Sequence, residues 1–492
     1  MPCWQRMAGI PAISSTSVTV CSPRLTRPCW SGSWSGSTRT VAKPRIAIVG
    51  GGIAGLAAAH HLVGEDVEVH LFEAADRLGG KIDSTMLGAE QLPAAADNFL
   101  ARVPQMKDLA HELGLGDELI SPTATNAYIY RDGSLHPLPP TLLGIPADLD
   151  VLAESSLISN AGVERARADL SAPDDRPEGD ESVGDLVRRR LGDEVHEYLV
   201  DPLLGGINAG DSDRLSITYG VPQIRAARDR DASLIRAAQN MRSGLIVGAP
   251  VFLSLRGGLQ VLIDALADEL EQDEWATVHI DSPVADLQRG ESGWQIEGAS
   301  FDAVIVAVPP VPASALLSSC APAAAAAFGA IEMSSVVMTV IALAPESLPV
   351  ASNVSGVLIP RLEGLHVTAV SIATNKWPDL SDRQILRVSV GRRTDTRWRS
   401  LDPDELTAIV ISDLQTIFGC AIHPQDAIAV EWIDSLPQYD VDHGQRIDAV
   451  ESTLAADCPG VHLAGASLRG LGLPACVQSG RDAADAALSS IR

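Results

Sequence analysis

Aromatic side chains are scarce in this chain, at 4% of 492 residues. Its core must therefore be packed mainly with Ala, Val, Leu and Ile, and at 46% hydrophobic residues it has enough of them for two or three domains. Lysine is confined to Lys43, Lys81, Lys107 and Lys376. Even with arginine, 37 basic residues face 63 acidic ones, and the formal net charge is −26. Such a surface repels nucleic acid and anionic headgroups, so no nucleic-acid partner is expected and an anionic substrate needs a local basic patch. The seven cysteines include no C-x-x-C pair, which argues against a zinc site or a disulfide framework and leaves a reduced, cytoplasmic setting as the default. No run reaches the roughly 18 apolar residues of a membrane-spanning helix. No G-x-S-x-G elbow or metal-ligand spacing appears either, so no metal is expected. The Ser/Thr/Trp/Cys-rich stretch 1–43 lacks the apolar segment of a signal peptide. It is expected to be disordered, and reads either as a leader or as a start codon placed too early.

What the chain does have begins at Arg45. "RIAIV" is a short apolar run that reads as a buried parallel strand, Ile53–Leu62 as an Ala-rich helix, and Val67–Phe72 as a second strand. The turn between them carries Gly50, Gly51, Gly52 and Gly55 in G-x-G-x-x-G spacing. Gly50 suits the tight turn, Gly52 the approach of backbone to a pyrophosphate, and Gly55 the close packing of helix on strand. The helix N-terminus, with Ile53 and Ala54, adds partial positive charge toward phosphate. Glu73 follows the second strand, 21 residues after Gly52, where a carboxylate can accept the hydroxyls of an adenosine ribose. These features together define a dinucleotide site, with nicotinamide and flavin both open.

Further along, "YIYRDGSLHPLP" (128–139) reads as a hairpin turning at Asp132–Gly133, 140–200 as mostly helical with a Pro/Asp-rich loop at 171–180, and 258–270 as a helix. "FDAVIVAVPP" (301–310) reads as a buried strand. The stretch 330–435 alternates strand-like runs with one helix over 403–418. "VHLAGAS" (461–467) reads as another buried strand, followed by a final helix over 478–488. Nucleotide-type strands are thus spread over the whole chain. The expected fold is α/β: a discontinuous Rossmann-like dinucleotide domain (44–100, 245–310 and 440–492), an inserted α+β substrate domain (101–139 and 311–439) and a mainly helical insertion (140–244).

The continuation "EAADRLGGKI", with Ala74, Arg77, Gly80 and Lys81, extends the site beyond what a nicotinamide domain needs and resembles the flavin amine oxidase and protoporphyrinogen oxidase superfamily. "VHLAGASLRGLGLPACVQSGRDAADAAL" (461–488) is similar to that superfamily's closing FAD motif. The resemblance implies FAD as cofactor, with Gly465, Leu471, Gly472 and Leu473 at the flavin and Val284 of "HIDSPVADL" over the adenine. Backbone N–H groups there would stabilise negative charge on the reduced flavin. It also places "PAAADNFL", with Ala96, Asp97 and Asn98, beside the flavin, although Ala95–Ala96 stand where the family often has Gly-Pro.

Three middle stretches narrow the resemblance to the protoporphyrinogen/coproporphyrinogen III oxidases: "GGINAGDSDRLSITYGVPQIRAA" (205–227), "SLRGGLQVLIDAL" (254–266) and "LPQYDVDHGQRI" (436–447), the last with Asp442 where glycine is usual. The implied activity is oxidation of a porphyrinogen to a porphyrin in heme biosynthesis. It removes six electrons, with flavin N5 taking hydride and O2 reoxidising the cofactor to release hydrogen peroxide. No protein acid or base is identified. Coproporphyrinogen III is favoured over protoporphyrinogen IX because the acidic, soluble character resembles the Gram-positive branch. Some relatives place a basic residue where this chain has Ala127; Arg102 and Arg131 are the nearby candidates for a substrate carboxylate. Another amine oxidase, a carotene-type desaturase and a non-catalytic FAD-binding scaffold remain as alternatives. The middle motifs argue against the first two, and turnover would exclude the third. Peripheral membrane contact and heme-pathway enzyme partners stay open. His60–His61 reads as a packing or surface pair, and Cys476 as a small buried hydrophobe.

Overall fold

The computed structural model describes residues 43–244 and 248–492; apart from Lys43, the stretch 1–43 lies outside them. Its first layer is a five-stranded sheet in the order Ala276–His279, Glu68–Phe72, Arg45–Val49, Ala303–Val306, Val461–Leu463. Every pairing in it is parallel. Parallel strands have both faces covered, and the central strand shows it residue by residue. Ile46 and Ile48 pack with helices Ile53–Leu62, Gln260–Gln272 and Leu473–Ile491. Ala47 and Val49 point the other way, into a cluster with Trp294, Phe301, Phe328 and Leu454. One sheet therefore joins strands up to about four hundred residues apart.

Two boundaries differ from the sequence expectation. The closing helix begins at Leu473, not at 478, because Pro474 occupies its first turn, where a missing N–H costs nothing. The strand before it stops at Leu463, since Gly465 turns at φ +113°. Pro310 likewise opens a helix (Pro310–Leu317) instead of simply ending a strand.

The second layer is a seven-stranded sheet ordered Asp426–Pro437, Met333–Leu343, Gln384–Val390, Val367–Ile372, Val354–Leu358, Asn126–Arg131, Ser134–Pro137. All its pairings are antiparallel except that between Val354–Leu358 and Asn126–Arg131. The last two strands are the expected hairpin. Helix Pro403–Phe418 packs on this sheet, started by an Asp402–Glu405 capping box and ended by Gly419 in the left-handed region.

The helices between Leu149 and Ser243 form a core of their own around Leu186, Val187, Leu199, Leu204 and Ile235. They meet the seven-stranded sheet through buried charge. Asp201 receives two hydrogen bonds from Arg361, at 2.7 and 2.8 Å, and lies 3.6 Å from Arg392. Ser212 donates to the same carboxylate at 2.5 Å and bonds His196 at 2.9 Å. Among the described residues, no helix is long and apolar enough to cross a membrane.

Candidate functional site

The Gly50–Gly55 turn sits where the first strand hands over to the first helix. Gly50 has φ +112°, and a Cβ there would stand 2.7 Å from the Ala307 carbonyl oxygen. A Cβ on Gly55 would stand 1.9 Å from the Gly50 oxygen. Gly52 is the opposite case: a Cβ there would meet no protein atom within 4 Å. Gly50 and Gly55 are thus small because protein fills the space, whereas Gly52 faces space that protein leaves open. That pattern fits a diphosphate lying against the Gly52 backbone.

Two helices whose N-termini carry no side-chain cap pack together in this part of the fold. The first helix is capped by Gly52 and the closing helix by Gly472; neither cap supplies a side-chain acceptor, and neither first turn contains an acid. Their leading N–H groups are suited to an anionic ligand. The two helices touch closely, since a Cβ on Gly480 would lie 2.1 Å from the Ala54 oxygen.

Glu73 stands beside the turn. Its Oε2 accepts the Gly51 N–H at 2.6 Å and its Oε1 the Ala75 N–H at 2.9 Å. Each carboxylate oxygen keeps a further acceptor site for ribose hydroxyls. Exposed Ala74 lies between. Ser282 N–H donates to the Glu73 carbonyl and Asp281 N–H to that of Ala75, so Val284, half-buried against the second core, is anchored next to them. The "LGG" segment returns to the glycine turn. Gly79 N–H donates to the Gly51 carbonyl at 2.9 Å, and a Cβ on Gly80 would lie 3.1 Å from the Gly52 Cα. Arg77 spends its guanidinium on this loop, donating to the Gly80 carbonyl at 2.9 Å and pairing with Asp83 at 2.9 Å. Burial pushes the Lys81 ammonium below its ordinary value, opposed by the neighbouring Cys476. Burial pushes the Cys476 thiol up to about 11.

The closing loop is held from outside its own sequence. Gly465 N–H donates to Ser479 Oγ at 3.0 Å, His443 Nε2 donates to the Leu468 carbonyl at 2.7 Å, and the Tyr439 hydroxyl donates to the Ala466 carbonyl. Leu473 packs in the first core, together with Ile53, Ala54 and Ala96, and Leu471 against the helical core. Tyr439 belongs to "LPQY", which also reaches the motif at 205–227: Gln438 donates to the Asn208 carbonyl at 3.0 Å, and Ser216 N–H donates to the Tyr439 carbonyl at 2.8 Å. Asp442 has φ +67°, which explains the glycine usual there; aspartate is among the few other residues that visit this region.

The remaining candidates have contacts of their own. Asp97 gives its carboxylate to Lys376 and Arg387, and Asn98 donates to Asp97 Oδ1 at 2.7 Å. Arg102 is exposed, next to Ala101, whose N–H donates to the Val251 carbonyl. Arg131 lies over the Tyr198 ring, 3.9 Å from its centre, and donates to the Leu157 carbonyl. It lines an open cleft of about 300 Å³ with Asp132, Ser134, His136 and Ser159. His60 bonds Glu269 and Glu112, and His61 bonds Asp485, as a packing and surface pair. Sequence reading missed Tyr439, His443, Lys376 and Arg387 as individual supports. The signal for Arg387 was available: one charge inside the apolar strand "QILRVSV".

The chain belongs to the flavin containing amine oxidoreductase family, whose sequence model matches residues 53–488. It is an oxidoreductase with FAD as its cofactor. Its relatives are more particular. It is 37% identical over 443 residues to the coproporphyrinogen III oxidase of Mycobacterium tuberculosis, covering 87% of this chain and 94% of that one. It is 32% identical to the coproporphyrinogen III oxidase of Bacillus subtilis, covering 91% and 98%. Among solved structures, a protein of Exiguobacterium sp. 255-15 provisionally named a protoporphyrinogen oxidase superposes with a TM-score of 0.81 at 31% identity, covering 90% and 98%.

Proposed function

We propose that this protein oxidises coproporphyrinogen III to coproporphyrin III in heme biosynthesis, with O2 as the final acceptor and hydrogen peroxide as by-product. The observation that carries the reading is the junction of its two most specific motifs at the flavin loop. Gln438 grips Asn208 of the 205–227 motif while its neighbour Tyr439 grips Ala466 of the closing motif. A carotene-type desaturase or another amine oxidase has no call for that pair of motifs.

When bound, FAD supplies two-electron acceptance, so a six-electron oxidation takes three rounds. The chain's part is to bind, orient and exclude water. Ile207, left 51% exposed beside buried Asn208, offers an apolar wall to a macrocycle. The leading N–H groups of the closing helix offer positive potential where charge accumulates on the reduced cofactor. No side chain is assigned as acid or base. We place FAD at the parallel sheet and the porphyrinogen against the exposed Ile207 side of helix Asp201–Asn208, away from the face that packs on the seven-stranded sheet. The setting proposed is cytoplasmic, with any membrane contact peripheral.

The test is direct. The purified protein should be yellow, should bleach anaerobically with coproporphyrinogen III, and should recover its colour in air. Failure to bleach with either porphyrinogen overturns the reading. Protoporphyrinogen IX is the second reading, favoured by the name given to the Exiguobacterium relative; a larger kcat/KM for it would select that substrate.

A further inference from the structure

The segment Ala94–Asn98 carries a set of attachments that cofactor binding alone does not require. Each comes from a distant part of the chain. Trp432 Nε1 donates to the Ala94 carbonyl at 3.1 Å, Arg387 donates to the Ala95 carbonyl, and Ser254 Oγ donates to the Asp97 carbonyl at 2.7 Å. The Asp97 carboxylate is paired with Arg387 at 2.6 Å and with Lys376 at 2.9 Å, both on Oδ2. The three side chains are 11%, 5% and 14% exposed. On its other side the segment meets the cofactor loops: Ala96 packs in the core that holds Ile53, Ala54 and Leu473, and its N–H reaches the Lys81 carbonyl at 3.5 Å.

Two cations share one carboxylate in this cluster, so it carries one positive charge in excess. Burial alone would raise the Asp97 pKa; Arg387 and Lys376 outweigh it and hold the carboxyl far below its ordinary value, keeping it ionised. A buried charge is weakly screened by salt. Arg387 Nε also lacks a hydrogen-bond partner although buried.

We propose that Asp97, Lys376 and Arg387 act as one positioning unit that fixes the Ala94–Asn98 segment against FAD and sets an uncompensated positive charge behind it, favouring the reduced, anionic cofactor. Asp97 is then no ligand of FAD but the link through which the seven-stranded sheet acts on it. This rests on the flavin site described above and is independent of which porphyrinogen is the substrate.

The experiment uses the full-length holoprotein. FAD affinity is measured by titration, and the cofactor midpoint potential by photoreduction against a reference dye, in low and high salt. Lys376→Gln makes the cluster neutral and should lower the equilibrium constant for reduction about tenfold, or ~30 mV for a two-electron couple, at both salt concentrations. Lys376→Arg keeps the charge and should hold the wild-type potential. Arg387→Lys keeps the charge but loses the guanidinium fork, so it should keep the potential and weaken FAD binding about tenfold or more. An equilibrium constant for reduction of Lys376→Gln within threefold of wild type, with FAD bound, overturns the charge; unchanged FAD affinity in Arg387→Lys overturns the positioning, and does so even if Lys376→Gln fails to fold. A wild-type protein that binds no FAD would instead overturn the flavin site itself.

Discussion

The two sheets of this protein are held to their surroundings in opposite ways. Around the parallel sheet the contacts are made by small residues and backbone: Gly50 against Ala307, Gly55 against Gly50, Gly480 against Ala54. The seven-stranded sheet, beyond the apolar packing of helix Pro403–Phe418, is joined to its neighbours by buried charge: Asp201 with Arg361 and Arg392, Asp97 with Arg387 and Lys376. Close backbone packing leaves no room for variation and needs no partner chosen from afar. Buried ion pairs tolerate different spacings but fail when one partner is lost. The cofactor side is therefore governed by shape, and the side facing it by charge balance.

The sharpest way to test that contrast is within one turn. Gly55→Ala forces a Cβ into the Gly50 carbonyl and should abolish both the native turn and FAD binding, seen as a lowered melting temperature even without cofactor. Gly52→Ala meets no protein atom, so apoprotein stability should hold while FAD affinity falls about a hundredfold or more by titration. Equal loss of stability in both would break the distinction between filled and open space. On the charged side, Asp201→Ala leaves buried Arg392 without its carboxylate, while half-buried Arg361 keeps Asp211, and should cost about 3 kcal/mol in denaturant unfolding.

Acid should act next. Burial holds His196, His279, His443 and His462 below the ordinary imidazole value. Below about pH 6.5 the unfolded chain therefore binds more protons than the folded one, and stability falls as pH drops from 7 to 5. Thermal melts across that range check the sign. The smallest effect expected is a gain. Asp442→Gly relieves a left-handed φ of +67° and should stabilise the fold by up to about 1 kcal/mol.

Shape and charge were not equally readable. Gly50, Gly52, Gly55 and Glu73 lie within one βαβ unit, so spacing alone places them together. Leu471, Gly472 and Leu473 were reachable through motif resemblance, although their helix starts earlier than periodicity suggested because Pro474 opens it. Asp97 was read as part of a segment beside the flavin, but its partners lie near residue 380, and no local pattern links a carboxylate to an arginine some 290 residues away. Arg131 was read as a candidate carboxylate anchor, and its place over the Tyr198 ring could not be read from a hairpin so far from Tyr198 in the sequence.

The order of strands in the parallel sheet has a consequence for how the protein is made. Strand Ala303–Val306 waits for Val461–Leu463 at the sheet edge, and the Ala-rich first helix waits for Leu473–Ile491 to cover it. During synthesis the ribosome releases the glycine turn first and its lid more than four hundred residues later. At about 5–20 residues per second, that interval lasts roughly twenty seconds to more than a minute. Throughout it the parallel sheet lacks its last strand and an apolar helix face lies bare, so this half of the molecule is complete only when synthesis ends.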